Sequence, residues 1–309
     1  MTYRGLLVAG VALSAITLAA MPASAKELKN IGMSVGSMSN PYFIALAEGA
    51  TNAAKKINPD AKLTVVSSEY DLGKQFSQMD NFIAAGVDLI LVAADDLHAI
   101  APAVKRAQDA GIPVIAVDVE AEGANATIET DNYQAGLVSC AYLGEKMGGG
   151  GDVVMQWVGP LSGSIARIKG CHDALGKYPN IKVVSDDENS GCTREGGLKF
   201  TLGDLQRFPN LKGMYTICEP EALGANLAIK QLGRSGIVVT STDGSPDAAD
   251  ALKTDTALIA TSSQDPREEG RLGIEEGYAI MNGKEPETKV LKLSPKLVTR
   301  DNVSQYTGW

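Results

Sequence analysis

Ten polar residues share one kind of position in this chain. Asn40, Asp95, Asp96, Asp118, Ser164, Arg167, Cys218, Glu219, Asp243 and Gln264 each stand at or just past the end of a predicted apolar strand. Asp118 ends the run Val114-Ile115-Ala116-Val117, and Asp243 ends Val238-Val239-Thr240-Ser241-Thr242. One carboxylate can accept hydrogen bonds from two adjacent hydroxyls, and side-chain amides supply both donors and acceptors. The set therefore suits a small hydroxylated molecule, each of whose hydroxyls must find a partner when it leaves water. A lone Asp at a strand end can equally cap the helix that follows. Capping accounts less well for the whole set arrayed along one sheet edge.

The stretch Ile31 to Phe43 adds an aromatic face to this polar edge. An apolar run enters a Gly/Ser turn, Asn40 reads as an N-cap, Pro41 as the first helical residue, and Tyr42 and Phe43 follow in the first turn. Aromatics make up only 5% of the chain, so two beside a strand-end turn carry weight.

These side chains need a scaffold that collects strand ends. Nine short apolar runs, from Ile31–Val35 through Leu89–Ala93 and Met214–Ile217 to Leu258–Thr261, lack polar alternation and so predict parallel strands buried on both faces. Helical spacing lies between them, as in Phe43, Ala47, Ala50, Ala54 and Ile57. Repeated strand–helix units predict an α/β fold, and this many strands fit two doubly wound parallel-sheet lobes joined by a multi-strand hinge. The rhythm breaks between Ala121 and Asp131, giving a first crossover. The expected division is 26–130 plus 265–288 for lobe 1 and 131–264 plus 289–309 for lobe 2.

Residues 1–25 read as an export signal: Arg4, an apolar stretch from Gly5 to Met21, and Ala23-Ser24-Ala25 as the cleavage pattern. Cleavage after Ala25 predicts a periplasmic protein. That segment holds one Arg and no acid, so the remainder carries a net charge of −10 against −9 for the whole chain. Such acidity argues against nucleic acid or anionic lipid as a partner. There is no CxxC or HExxH pattern, and the acidic run Asp186-Asp187-Glu188 lacks calcium-loop spacing, so no metal and no cofactor are expected.

The order of motifs resembles the ribose-type periplasmic sugar-binding proteins. Ser39-Asn40-Pro41-Tyr42-Phe43, Gly86-Val87-Asp88-Leu89-Ile90-Leu91, Gly111 to Asp118, Thr130-Asp131-Asn132, Ser164-Ile165-Ala166-Arg167, Glu221 to Ala225, Thr242-Asp243-Gly244 and Gln264 follow the family's sequence of landmarks. The resemblance implies two lobes closing over one ligand, a pentose, other monosaccharide or polyol, and its delivery by a monomer to an ABC permease in the inner membrane. It implies a site of Asn40, Tyr42, Phe43, Asp118, Arg167, Cys218, Asp243 and Gln264, with no catalytic residue. It also implies that Cys171 and Cys192 lie close enough to pair, leaving Cys140 a buried thiol and Cys218 on the pocket wall. Three positions depart from the family pattern. Val119 stands where Arg is common, Cys218 replaces an Asn, and Thr242 stands where an aromatic is often found. Ribose itself is therefore a poor expectation, and Trp157 and Tyr215 read as core. Two alternatives remain open: a periplasmic sensor presenting the same ligand to a chemoreceptor or sensor kinase, and an α/β enzyme using carboxylates such as Asp95 and Asp96.

Overall fold

The structure is a computed structural model that describes residue 1 and residues 26–309; the expected export signal and its cleavage site lie outside the described residues. Two six-stranded sheets form the frame. The first contains β1 (Asn30–Val35), β2 (Lys62–Ser67), β3 (Leu89–Val92), β4 (Val114–Val117), β5 (Ala126–Thr130) and β11 (Val290–Leu293), all parallel, in the order β11-β5-β4-β3-β1-β2. The second contains β6 (Gly150–Trp157), β7 (Asn180–Asn189), β8 (Leu211–Thr216), β9 (Val238–Asp243), β10 (Leu258–Ser263) and β12 (Leu297–Thr299) in the order β12-β10-β9-β8-β6-β7, with only β12 antiparallel.

Every residue of the central strands β3 and β4 is buried, as expected of strands covered on both faces, whereas the edge strands β2 and β7 alternate toward solvent. In the first lobe α1 (Pro41–Ile57) and α9 (Pro266–Met281) cover one face, and α2 (Leu72–Ala85) and α3 (Ala101–Asp109) the other. In the second lobe α4 (Asn132–Lys146) and α5 (Ser162–Leu175) oppose α6 (Arg194–Arg207) and α7 (Glu219–Gln231), with α8 (Pro246–Leu252) beside β10. In both sheets the order of strands reverses about the first strand, so each has a crevice beyond the carboxyl ends of β1 and β3, or of β6 and β8, where helices leave to opposite faces.

The chain crosses between lobes three times: at Asp131, at Gln264–Asp265, and between Leu293 and Leu297. The crossings bond to one another, with the Asp131 amide donating to the Leu293 carbonyl at 2.8 Å and the Ser263 amide to the Lys296 carbonyl at 2.7 Å. The 121–131 segment contains β5 and then crosses at Asp131, where the sequence predicts the first division. One boundary differs from the sequence expectation. The segment 289–293 belongs to the first lobe, because β11 pairs with β5 from Val290↔Thr127 to Leu293↔Thr130.

Both disulfides also differ from the expected pairing. Cys140 bonds to Cys171, and Cys192 to Cys218; no bond joins Cys171 to Cys192. Helices α4 and α5 approach closely because Gly136 and Gly170 carry no side chain: a Cβ at either would stand 2.0 or 2.1 Å from the carbonyl oxygen of Arg167 or Tyr133 on the facing helix. That approach brings Cys140, one turn beyond Gly136, against Cys171, leaving Cys192 to the start of α7.

Candidate functional site

The carboxyl ends of the two sheets face each other, and all eight expected site residues border one small cavity of about 40 Å³ between the lobes. The first lobe contributes Asn40, Tyr42, Phe43 and Asp118; the second contributes Arg167, Cys218 and Asp243; Gln264 comes from the hinge. Asn40 is the N-cap of α1, its Oδ1 accepting from the Tyr42 amide at 3.0 Å, which points Nδ2 across the cleft to Cys192 Sγ at 3.5 Å. The Tyr42 hydroxyl donates to Glu269 at 2.6 Å, and Glu269 also accepts from the Thr130 hydroxyl at 2.7 Å. The Tyr42 ring meets Phe43 and Trp309 edge-to-face at centroid distances of 5.3 and 6.0 Å.

Arg167 is held from behind by its own lobe. Its Nε donates to Asn132 Oδ1 and its Nη1 to the Ile217 carbonyl, each at 2.7 Å, and Nη1 stands 3.8 Å from Asp243 Oδ1. Asp243 accepts from Gln264 Nε2 at 2.8 Å and from the backbone amide of Glu219, the first residue of α7, at 3.1 Å. The other Gln264 amide atom, Oε1, is buried with no protein partner. Backbone conformation marks the same places: Asp118 has φ +69° and Asp243 +150°, values that non-glycine residues adopt at a cost and that recur where a side chain is aimed at a ligand.

Residues 31–285 match the family described as periplasmic binding protein domain. The chain belongs to the periplasmic binding proteins. It is 31% identical over 278 residues to a ribose import binding protein of Bacillus subtilis (strain 168), covering 89% of this chain and 88% of that one. It is also 31% identical to a xylitol-binding protein of Mycolicibacterium smegmatis, covering 91% of this chain and 80% of the relative. In structure it is similar to an ABC transporter periplasmic solute binding protein of Actinobacillus succinogenes with bound D-allose, at a TM-score of 0.82 and 28% identity over 90% of this chain and all of the other.

Burial sets the electrostatics of this binding protein. Loss of water pushes the carboxyls of Asp118 and Asp243 up to about 6, with the Arg167 charge opposing the rise in both. Burial raises Glu219 and Glu269 to about 8, helped by the charge of Asp243 on the first and of Asp118 on the second. Glu219 does not border the cavity; its carboxyl takes the amides of Gly244 and Ser245, each at 2.7 Å, and so shapes the turn that presents Asp243.

Asp95 and Asp96 do not form a facing acid–base pair. Asp96 caps the amides of His98 and Ala99 at 2.9 Å each, while Asp95 borders an adjoining crevice with Ser37, Glu69 and Asn189. Among the three departures from the family pattern, Val119 and Cys218 border the cavity. Thr242 turns into the sheet, where its hydroxyl pairs with Tyr215 at 2.9 Å and Ser262 at 3.0 Å. Six further lining residues were not anticipated: Tyr70, Val158, Leu161, Gly163, Cys192 and Ile217. Tyr70 had a legible signal, since it is a scarce aromatic shortly after a strand end, as Tyr42 and Phe43 are. It adopts φ +57°, and its ring lies where a Cβ on Gly36 would otherwise fall, 2.3 Å from Cε1.

Proposed function

We propose that the protein is the periplasmic solute-binding component of an ABC importer, that it closes over one small sugar or polyol, and that it hands the ligand to a membrane permease. The supporting observation is the cavity between the lobes, on which Asn40, Asp118, Arg167, Asp243 and Gln264 converge beside the ring of Phe43. Carboxylates and an amide oxygen accept from hydroxyls, Arg167 donates in return, and Phe43 covers a C–H face. Asn40, Phe43, Arg167 and Asp243 are each 6% exposed or less, so a ligand reaches them only when the lobes part. Contacts from both lobes then favour the closed form over the open one. The ribose and xylitol relatives support this ligand class.

The test is native mass spectrometry of the protein lacking residues 1–25, followed by denaturing release of whatever co-purifies. One pentose, hexose or polyol per chain is the expected result. An empty protein is then melted against a panel of sugars and polyols; if no member raises its melting temperature, the reading fails.

A further inference from the structure

The cavity is not hydroxyl-matched all round. Beside the polar cluster of Asp118, Arg167, Asp243 and Gln264 lies an apolar part of the lining made by the Cys192–Cys218 disulfide with Val158, Leu161 and Ile217, one contiguous cluster to which the first lobe adds Tyr70. Four backbone donors of this part, those of Cys192, Cys218, Val158 and Ile217, are already engaged. The Cys192 and Cys218 amides donate to the Glu221 carboxyl at 3.1 and 3.4 Å, the Val158 amide to Ser164 Oγ at 3.2 Å, and the Ile217 amide to the Gln156 carbonyl at 3.3 Å. The Ile217 carbonyl already accepts from Arg167. The Asn40 Nδ2 group, which could reach a ligand from the first lobe, points instead at Cys192 Sγ, and sulfur is itself a weak acceptor.

Nor is the disulfide a loose bystander. Glu221, wholly buried on α7, fixes both half-cystines through their amides and also bonds the Ser190 hydroxyl, while Gly191 and Cys192 take φ +67° and +56° to bring the loop before α6 over the cavity. Because the two sulfurs are bonded to each other, the close trio Cys192, Cys218 and Glu221 offers no thiolate to a metal. Its chemical effect in the cavity is that of an apolar ledge.

We propose that the Cys192–Cys218 disulfide is the specificity element of the site, and that it selects a ligand whose end lying on this ledge carries no hydroxyl: a deoxy sugar or a deoxy polyol. The inference rests on the sugar or polyol reading above and narrows it. A hydroxyl forced against the disulfide and the Val158, Leu161 and Ile217 side chains gives up water and meets there no acceptor better than sulfur; discrimination of this kind, against an analogue with an added hydroxyl, runs to about ten- to a hundredfold.

The experiment is calorimetric titration of the whole protein with three matched pairs: D-galactose and D-fucose (6-deoxy-D-galactose), D-ribose and 5-deoxy-D-ribose, xylitol and 1-deoxyxylitol. In the wild type, at least one pair is expected to bind with the deoxy member favoured roughly tenfold or more. In Cys192→Ala/Cys218→Asn, which removes the ledge and installs an amide, that preference is expected to shrink to about threefold or less, mainly through tighter binding of the hydroxylated member. Cys192→Ser/Cys218→Ser serves if that variant does not fold, and the wild-type ratio stands without either. Binding in which every pair prefers the hydroxylated member or shows no preference overturns this inference and leaves the broader reading intact, as does a preference that survives loss of the disulfide. Failure of all six compounds to bind, together with a silent melting panel, overturns both.

Discussion

Arg167 and Asp243 stand 3.8 Å apart, too far for a hydrogen bond and close enough for one ligand hydroxyl to bridge them. Asp243 has structural duties besides, holding Gln264 and the start of α7. Asp243→Ala is therefore expected to weaken binding by about 1–3 kcal/mol and also to lower the melting temperature. Asp118→Ala should cost a similar amount of affinity with a smaller effect on melting, and titration alongside calorimetric melting separates the two. Both carboxyls titrate near 6 in the folded protein, and a hydroxyl donor prefers the ionised form. Affinity should thus rise as pH increases from 5 to about 7 and level off above; affinity that falls over that range would mean the carboxyls act protonated. At this scale the sequence was informative wherever a polar type stood at a strand end, as with Asp118, Asp243 and Gln264. It was uninformative for Val158, Leu161 and Ile217, since an apolar residue bordering a cavity is the same in sequence as one filling a core.

Helix pairs hold the site residues at their depth, and the α4–α5 pair holds Arg167. Gly136 packs against the backbone of Arg167 itself, so Gly136→Ala should push α5 outward, destabilise the fold by roughly 1–3 kcal/mol in urea unfolding, and weaken ligand binding as Arg167 moves. Gly203 on α6 is the contrasting case. Nothing lies within 4 Å of its would-be Cβ, and Gly203→Ala is expected to stabilise by about 0.5–1 kcal/mol with affinity unchanged. In sequence the two glycines look alike, because the difference between them is a neighbouring helix. The disulfides were illegible for the same reason: Cys140 and Cys171 sit a helix apart, and only the close approach of α4 and α5 pairs them.

For the whole molecule, two parallel-sheet lobes were legible because strands buried on both faces lack polar alternation. The last crossing was not. β11 is half-exposed along most of its length and lies only three residues from β12, so nothing but pairing assigns it to the first sheet. Closure about the three bonded crossings predicts a smaller radius of gyration on saturation with ligand in solution scattering; an unchanged value would rule out a two-lobe trap. The interior also predicts how stability depends on pH. Burial raises Glu219, Glu221 and Glu269 to about 8, above their unfolded values, so the folded state binds more protons than the unfolded one between about pH 4.5 and 8. That contribution is complete below the unfolded values and is lost as pH rises through the folded ones. The ligand-free protein should melt at a higher temperature at pH 5 than at pH 8.

Trp309 sits where all these scales meet. Its ring packs on Tyr42 of the first lobe while its indole Nε1 donates to the Asp243 carbonyl of the second at 2.8 Å, and the neighbouring Tyr306 hydroxyl donates to the Gly244 carbonyl at 2.7 Å. The chain has only one other tryptophan, Trp157 on β6. A fluorophore anchored to both halves of the jaw is a built-in optical gauge. In Trp157→Phe, the emission of a single indole would follow opening and closing in real time, with no dye attached and no need to know beforehand what the protein carries.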